Sequence, residues 1–565
     1  MKLLNPKENK YEYLDEKSRM LMLKTIEFFE NKGKAKLKSD YQEKVWYADF
    51  IDFLKREKVF ATLLTPSAHG KEGCRWDTYR NCAFNEILGF YGLPYWYTWQ
   101  VTILGLGPIW MGDNKAVKEK TARLLQEGGI FAFGLSEKAH GADLYSSEMA
   151  LTPLGEGKYV ADGGKYYIGN ANEAALVSTF GKDTETDEYV FFVVDSQHEN
   201  FELVKNVVSS QNYVAEYALQ SYPITEAEIL TRGQAAWDSS LNTINVGKYN
   251  LGWASIGICT HAFYEAIAHA YNRVLFSKRV TDFPHIRQLF VDAYTRLAAM
   301  KLFALRNADY IRAASAEDRR YLLYTPMTKM KVTTQGEEVI NLLWDVIAAK
   351  GFEKDMYFEM AAQDIRALPK LEGTVHVNMA LIIKFMPNYF FNPDAFPEID
   401  QRNGTEDDTF LFNQGATRGL GKIRFHDFNI AYNSIDLPNL TIFKEQIKTL
   451  QEMLLTAPPE KEQQGDIDYL LILGELFTLV AYGQLIIENA AIYKVEDAFL
   501  DQIFDFMIRD FSKFALQLYS KTSSTDVQMA VCLKMIKKPV VNPERFERIW
   551  SEYVEPLNNA YEMNP

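Results

Sequence analysis

Apolar residues recur every three or four positions along most of this chain, and the breaks in that rhythm divide it. Between Tyr11 and about Gly129, stretches such as YADFIDFLKREKVFATLL and NCAFNEILGFYGLPYWYTWQVTILGLG keep helical spacing, which predicts an N-terminal helical domain over residues 1–129. Over 130–235 the period shortens. Runs rich in β-branched and aromatic residues, KYVADGGKYYIG, AALVSTFG and EYVFFVVD, alternate with the turn clusters GEG, DGG and GKDTETDE, which predicts a small antiparallel β domain. Helical spacing returns over 236–390, in ASIGICTHAFYEAIAHAYNRVLF and KVTTQGEEVINLLWDVIAAKGF, and predicts a helical bundle. Residues 391–427 are rich in Asn, Asp, Pro and Gly and read as an irregular linker, followed by a C-terminal helical extension over 428–565. Its run LLILGELFTLVAYGQLIIENAAIY is apolar enough to pack as core. The fold class expected is therefore mainly α with one small antiparallel β domain. No internal repeat stands out, and FYGLPYWYTW reads as a buried helix joint at Pro94.

Composition narrows the function. The 565 residues are 47% hydrophobic, 14% aromatic and 24% charged, enough apolar material for several cores. A net charge of −14 argues against nucleic acid as a partner, because that binding relies on clustered Lys and Arg against phosphates. Cys74, Cys82, Cys259 and Cys532 are too few and scattered for a disulfide framework or a CxxC-type zinc site, so a reducing, cytoplasmic setting is expected. The opening MKLLNPKENKYEYLDEKSRM is too charged for a signal peptide, and no uncharged apolar run reaches the roughly 18 to 20 residues of a bilayer span. His261 and His269 lie eight apart on one predicted helix with no third ligand in view; packing is the expected role, and no metal site is expected. GLG and GGK lack the strand, phosphate loop and helix of a nucleotide-binding fold.

The candidate chemistry centres on LPKLEGTVHV, Leu368 to Val377, where Glu372 stands among mostly apolar residues before Gly373 and Thr374. A carboxylate in an apolar pocket is a stronger base than one in water, because desolvation disfavours its charged form. The adjacent glycine lets the backbone come close to a ligand. Another role fits the same residues: a solvated acid at a loop leading into a helix, where it favours the positive end of the helix dipole.

The segment order helices, β domain, helices resembles the acyl-CoA dehydrogenase and acyl-CoA oxidase family over Tyr41 to Met386, and local segments carry the likeness. ILGLGPIWMGDNKAVKEKTARLLQEGGIFAFGLSEKAHGAD looks like the family's Gly-Pro-Ile helix end, helix and Thr-Glu-Pro-x-x-Gly-Ser-Asp loop. GGKYYIGNA is similar to the strand carrying Trp-Ile-Thr-Asn-Gly, and RVLFSK to Arg-x-x-Phe-Gly-Lys. VIAAKGFEKDMYFEMAAQDIRALPKLEGT is similar, without a gap, to the stretch from Gly-Gly-x-Gly-Phe to Glu-Gly-Thr. The C-terminal extension resembles that of the very-long-chain members and the oxidases. The resemblance implies FAD as cofactor, a fatty acyl-CoA thioester as substrate, an electron-transfer flavoprotein as acceptor and a homodimer or homotetramer. Glu372 falls at the catalytic base, which removes the α proton while a hydride leaves the β carbon for the flavin N5. The position of the branched-chain members' base falls in INVGKYN, which holds no acid.

The same register implies the remaining site residues. Leu135, Ser136 and the loop containing Ala142 fall at the flavin ring, with Tyr167 in place of Trp and Gly169 in place of a Thr whose hydroxyl the family directs at the flavin. Arg273 and Phe276 keep the Arg-x-x-Phe pattern, with Arg273 set against the pyrophosphate of the neighbouring subunit. Gly351 and Thr374 are further cofactor positions, whereas Asp345, Ala348 and Ala349 replace the family's Gln and paired Gly. Gly373 is expected at the thioester, and Lys248, in place of an Arg, at the CoA end. Two other readings fit the residues: an oxidase or monooxygenase on the same scaffold, and a non-catalytic, flavin-poor binding protein.

Overall fold

The computed structural model describes residues 3–565, and contacts within it divide the chain into two units. One comprises 10–250 with 403–418 and 563–565; the other comprises the residues up to Asn9, 251–402 and 419–562. A 40-residue helix, Gly233–Asn272, begins in the first and ends in the second.

The first unit holds the sheet. Its strands are β1 (Ile130–Gly134), β2 (Ala150–Gly155), β3 (Lys158–Gly169), β4 (Ala174–Asp183), β5 (Tyr189–Val194), β6 (Phe201–Asn206), β7 (Val214–Thr225) and β8 (Ile229–Arg232). They run in the order β6-β7-β3-β2-β4-β5-β8, with β1 beside β4. The turn clusters produce antiparallel ladders, the longest joining β3 to β7 from Lys158↔Thr225 to Gly169↔Val214. Two pairings depart from that pattern: β4 lies parallel to β1 along Ile130↔Ala174 to Gly134↔Thr179, and parallel to the start of β2. Parallel neighbours need a long connection, which the intervening chain from Leu135 to Glu173 supplies. The continuous apolar runs of β4 and β5 are buried almost throughout, and β6, with Glu202 and Lys205 exposed, forms an edge.

The helix joint at Pro94 is present. One helix ends at Tyr91, Gly92 turns the chain at φ +158°, and Leu93–Met111 follows with Pro94 in its first turn, where a missing N–H is tolerated. The glycines of LGLG serve close packing: a Cβ on Gly105 would lie 2.7 Å from the backbone N and O of Ala132 in β1, and one on Gly107 would lie 2.5 Å from Thr243 Oγ1. Part of the irregular 391–427 stretch belongs to this unit. Asp407 accepts from the Ser67 and Trp76 amides at 2.8 Å each, and Asp408 from the Thr78 amide at 2.6 Å.

The second unit is a helical bundle built from Pro284–Arg312, Thr333–Ile347, Ile467–Ile492 and Asp497–Tyr519 with the end of the 40-residue helix. By length and composition Ile467–Ile492 could cross a membrane, which a search for uncharged runs misses because Glu475 and Glu488 interrupt it; 78% of its most apolar window is buried by protein. Ion pairs are sealed into this bundle. Arg296 meets both oxygens of Asp510 at 2.7 and 2.8 Å. Arg306 donates to Glu488 at 2.9 Å, and Glu488 also accepts from Tyr310 and lies 3.1 Å from His426. Burial alone would raise the Glu488 carboxyl, but His426 and Arg306 outweigh it and bring it down to about 2.

A carboxylate depressed in the folded state stabilises above its unfolded pKa, and that stability disappears as pH falls through the folded value. Glu488 is therefore expected to contribute about 3 kcal/mol at neutral pH, lost between about pH 4.5 and 2. Glu488→Gln should lower the denaturant midpoint at pH 7 and flatten its decline in acid. Equal acid sensitivity in the variant would rule out this linkage.

Candidate functional site

Glu372 lies in the bundle unit, in the turn between helices Tyr357–Asp364 and Val375–Ile382. Two consecutive residues there are left-handed, Glu372 at φ +51° and Gly373 at φ +86°. Glycine adopts that conformation freely, whereas a side-chain-bearing residue is strained by roughly 1–2 kcal/mol. The turn is held by donors on both sides of Glu372. Lys329 Nζ donates to the carbonyls of Pro369, at 2.8 Å, and of Gly373. Asn378 Nδ2 donates to the carbonyls of Gly373 and Thr374 at 3.0 Å each. The N-cap of the following helix is Thr374, whose hydroxyl accepts from the Val377 amide, so Glu372 does not cap it. Glu372 is half-buried, and its Oε2 is inside the protein. The acid thus stands half-buried in the turn that leads into this helix, without capping it.

Thr374 is exposed and Gly373 half-buried. In the same unit, Arg273 to Arg279 form an exposed two-residue hairpin, Val274–Leu275 against Lys278–Arg279. Phe276 and Ser277 at its tip both have positive φ, as a type I′ turn requires, and Phe276 is 90% exposed. Gly351 is buried because a Cβ would lie 3.0 Å from the Phe358 ring and 3.1 Å from Ile347. Asp345, Ala348 and Ala349 are exposed. His261 stacks on Tyr357 at 3.6 Å, which is packing.

The residues placed at the flavin ring lie in the other unit, and the structure brings several of them together. Ser136 Oγ donates to the carbonyl of Tyr166 at 2.8 Å, and the Tyr166 amide donates to Ser136 O at 3.0 Å, so this loop runs against β3. A register shift between Tyr166 and Ile168 leaves Tyr167 as a bulge at φ +65°, its side chain 54% exposed. Bulges redirect side chains in this way. A Cβ on Gly169 would lie 2.6 Å from the ring of Tyr97 and 2.8 Å from its hydroxyl. The space of the absent Thr is thus held by a tyrosine that brings a hydroxyl of its own. Ala142 is exposed on the same loop.

An ion pair that the sequence reading did not assign fixes the loop. Lys165, buried in β3, donates to Glu137 at 2.7 Å and to the carbonyl of Leu135 at 3.0 Å. Burial pulls the Lys165 amine down to about 8, with Glu137 opposing. Burial also acts to raise Glu137, but Lys165, Ser147 and the Glu148 amide prevail and hold it below the usual range. Glu137, His140 and Glu148 lie close enough to share a cation. Both Glu137 oxygens, however, already accept hydrogen bonds, Oε1 from Lys165, Ser147 and the Met149 amide and Oε2 from the Glu148 amide.

Lys248 is 7% exposed, where a cation awaiting the CoA end should be open to solvent. Its helical stretch is fastened by a ladder of buried amides. Asn85 Nδ2 donates to Asn250 at 2.7 Å, Asn250 Nδ2 to Gln100 at 2.8 Å, and Gln100 Nε2 to the carbonyl of Gly247 at 3.1 Å. The signal for Lys165 and Lys329 was available in the sequence: each is a lysine set inside a periodic apolar run, YVADGGKYYIG and LLYTPMTKMKV.

Residues 236–386 match the family model described as acyl-CoA dehydrogenase, C-terminal domain. The 3-(aryl)acrylate reductase of Clostridium sporogenes is 22% identical over 50% of this chain and 75% of its own length. The caffeyl-CoA reductase-Etf complex subunit CarC of Acetobacterium woodii is 22% identical over 62% of this chain and 97% of its own. A crystal structure of an acyl-CoA dehydrogenase complexed with FAD from Bacillus anthracis has a TM-score of 0.76 at 15% identity, covering 99% of this chain and 98% of that one. That fold extends through the C-terminal helices.

Removing Lys165 leaves Glu137 buried without its cation, which costs on the order of 3–5 kcal/mol. Lys165→Met should lower the unfolding midpoint accordingly, and Glu137→Gln in the same chain should recover part of the loss. Additive losses would show that the two residues act independently.

Proposed function

We propose that the chain, whose residues 236–386 match the acyl-CoA dehydrogenase C-terminal domain model, is a member of that family and carries out FAD-dependent α,β-dehydrogenation of a fatty acyl-CoA thioester with Glu372 as the base. The observation that carries this reading is the turn at Glu372: a carboxylate with one oxygen inside the protein, on strained backbone, with donors fastening the carbonyls on either side of it. Strain of this kind persists only where the surroundings enforce it, and it concentrates at functional sites.

Glu372 takes the α proton. The fixed turn holds its carboxylate in one approach to the Cα–H bond. The Glu372 amide, on the same rigid backbone, donates to the thioester carbonyl and stabilises the negative charge that develops there. FAD, when bound, supplies the acceptor for the two electrons that leave with the β hydrogen. Leu135, Ser136, Tyr167 and Gly169 with Tyr97 would hold its ring, and the exposed Arg273 suits the pyrophosphate of a second copy's FAD, with Phe276 beside it. We further propose a homodimer or homotetramer, an electron-transfer flavoprotein as acceptor and a cytoplasmic location.

A second reading runs the same chemistry backwards. Two relatives are named as reductases of an arylacrylate and a caffeyl thioester. In that direction Glu372, protonated, returns the proton to Cα of an unsaturated acyl group.

The test is the visible spectrum of the purified protein, followed anaerobically after addition of acyl-CoA thioesters. Bleaching by a saturated thioester is expected, and Glu372→Gln should keep the flavin while slowing bleaching by about 10²–10⁴-fold. Full-rate bleaching in the variant would remove Glu372 from the role of base. Oxidation of the reduced protein by an unsaturated thioester, without bleaching by a saturated one, would favour the reductase direction.

A further inference from the structure

The feature that the proposed chemistry does not yet use is Lys329. It is fully buried in the helical stretch from Tyr321 to Ile347, where a lysine is a poor choice for packing. That stretch is not a regular helix at this point. Pro326 lies inside it and lacks the N–H of the helical ladder, and Thr328–Val332 widen into a π-helical turn. The extra residue turns the side chains at 329 and 331 away from their α-helical directions. Lys331 meets Glu475 at 3.4 Å, whereas Lys329 reaches the turn at Glu372. Threonines satisfy carbonyls that the widened turn loosens: Thr333 Oγ1 donates to Lys329 O at 2.6 Å and Thr328 Oγ1 to Tyr324 O at 3.0 Å.

The two carbonyls that Lys329 ties belong to Pro369 and Gly373, three residues before Glu372 and one after it. A single buried ammonium therefore spans the turn that carries the base. Glu372 and Gly373 are the two left-handed residues, and the Gly373 carbonyl takes a second donor from Asn378.

We propose that Lys329 is the positioning residue of the base: its buried ammonium, delivered by the π-turn, holds the strained backbone of residues 369–373 in the one conformation that presents Glu372 to the substrate. This rests on the reading of Glu372 as the base, and its consequence is specific. Loss of the ammonium should loosen one turn and lower kcat while leaving the cofactor and substrate affinity in place, because a misplacement of about 1 Å near the reacting atoms costs on the order of 100-fold.

The experiment compares full-length wild type with Lys329→Met by steady-state kinetics, flavin absorbance and amide hydrogen exchange. The expected result is a fall in kcat of at least about tenfold with KM changed by less than about threefold. Flavin content should stay that of wild type, and exchange should rise at least about tenfold at the amides of residues 371–374 and not across the rest of the bundle. Unchanged exchange in that turn overturns the proposal, as does unchanged kcat. Loss of flavin with faster exchange throughout the unit also overturns it, since Lys329 would then be holding the bundle and not the turn. If Lys329→Met does not fold, Lys329→Gln, which keeps a donor without the charge, is judged by the same outcomes. A failure of the function itself is separately visible: no thioester bleaches wild type, or Glu372→Gln bleaches at full rate, while the exchange comparison still decides whether Lys329 holds the turn.

Discussion

A charge sealed inside protein has to be given oxygen or nitrogen partners, because leaving it without them costs several kcal/mol, a large share of a domain's stability margin. Much of this molecule is organised around that demand. Lys329 takes two backbone carbonyls around Glu372, Lys165 takes Glu137 and the Leu135 carbonyl, Arg296 takes Asp510, and Arg306 takes Glu488. Each pairing fixes something that apolar packing alone leaves free, since packing is non-directional and hydrogen bonds to charged groups are not. In each unit a buried lysine binds backbone carbonyl oxygen beside candidate site residues.

The difference between the two lysines lies in what they secure. Lys165 holds a loop that runs against a strand, so hydrogen bonds between Ser136 and Tyr166 share the task. Lys329 holds a turn between two helices, whose backbone conformation is unfavourable for one residue and suits glycine at the next. Asn378 adds neutral donors to the same turn.

The order helices, sheet, helices was legible in the sequence because periodicity is a local property, and so was the joint at Pro94, where glycine and proline mark it directly. The two parallel pairings of β4 were not legible, because they depend on which earlier strands the chain returns to, one of them nearly forty residues back. The role of Asp407 and Asp408 was hidden for a similar reason: an acidic, glycine-containing stretch reads as a linker until its amide partners at Ser67, Trp76 and Thr78 are known. Within the candidate site, register singled out the turn at Glu372, while the burial of Lys248 was not legible, because position in a motif says nothing about burial. The space beside Gly169 is filled by Tyr97, some seventy positions away in the chain, which no local motif reports.

The route of the chain through its two units has a consequence for its synthesis. A nascent chain folds from its N-terminus as segments emerge, and domains fold as units once they are whole. The sheet-bearing unit lacks its 403–418 segment until most of the protein has been made. The bundle waits longer: Arg306 meets Glu488 only after another 182 residues have been added, and Arg296 meets Asp510 after 214. Until then Arg296 stands without Asp510, and Arg306 has only the nearby Asp309, on a partly formed apolar surface. Through most of translation the ribosome therefore carries an incomplete bundle, and the growing chain has to be kept from associating with its neighbours until its last quarter emerges.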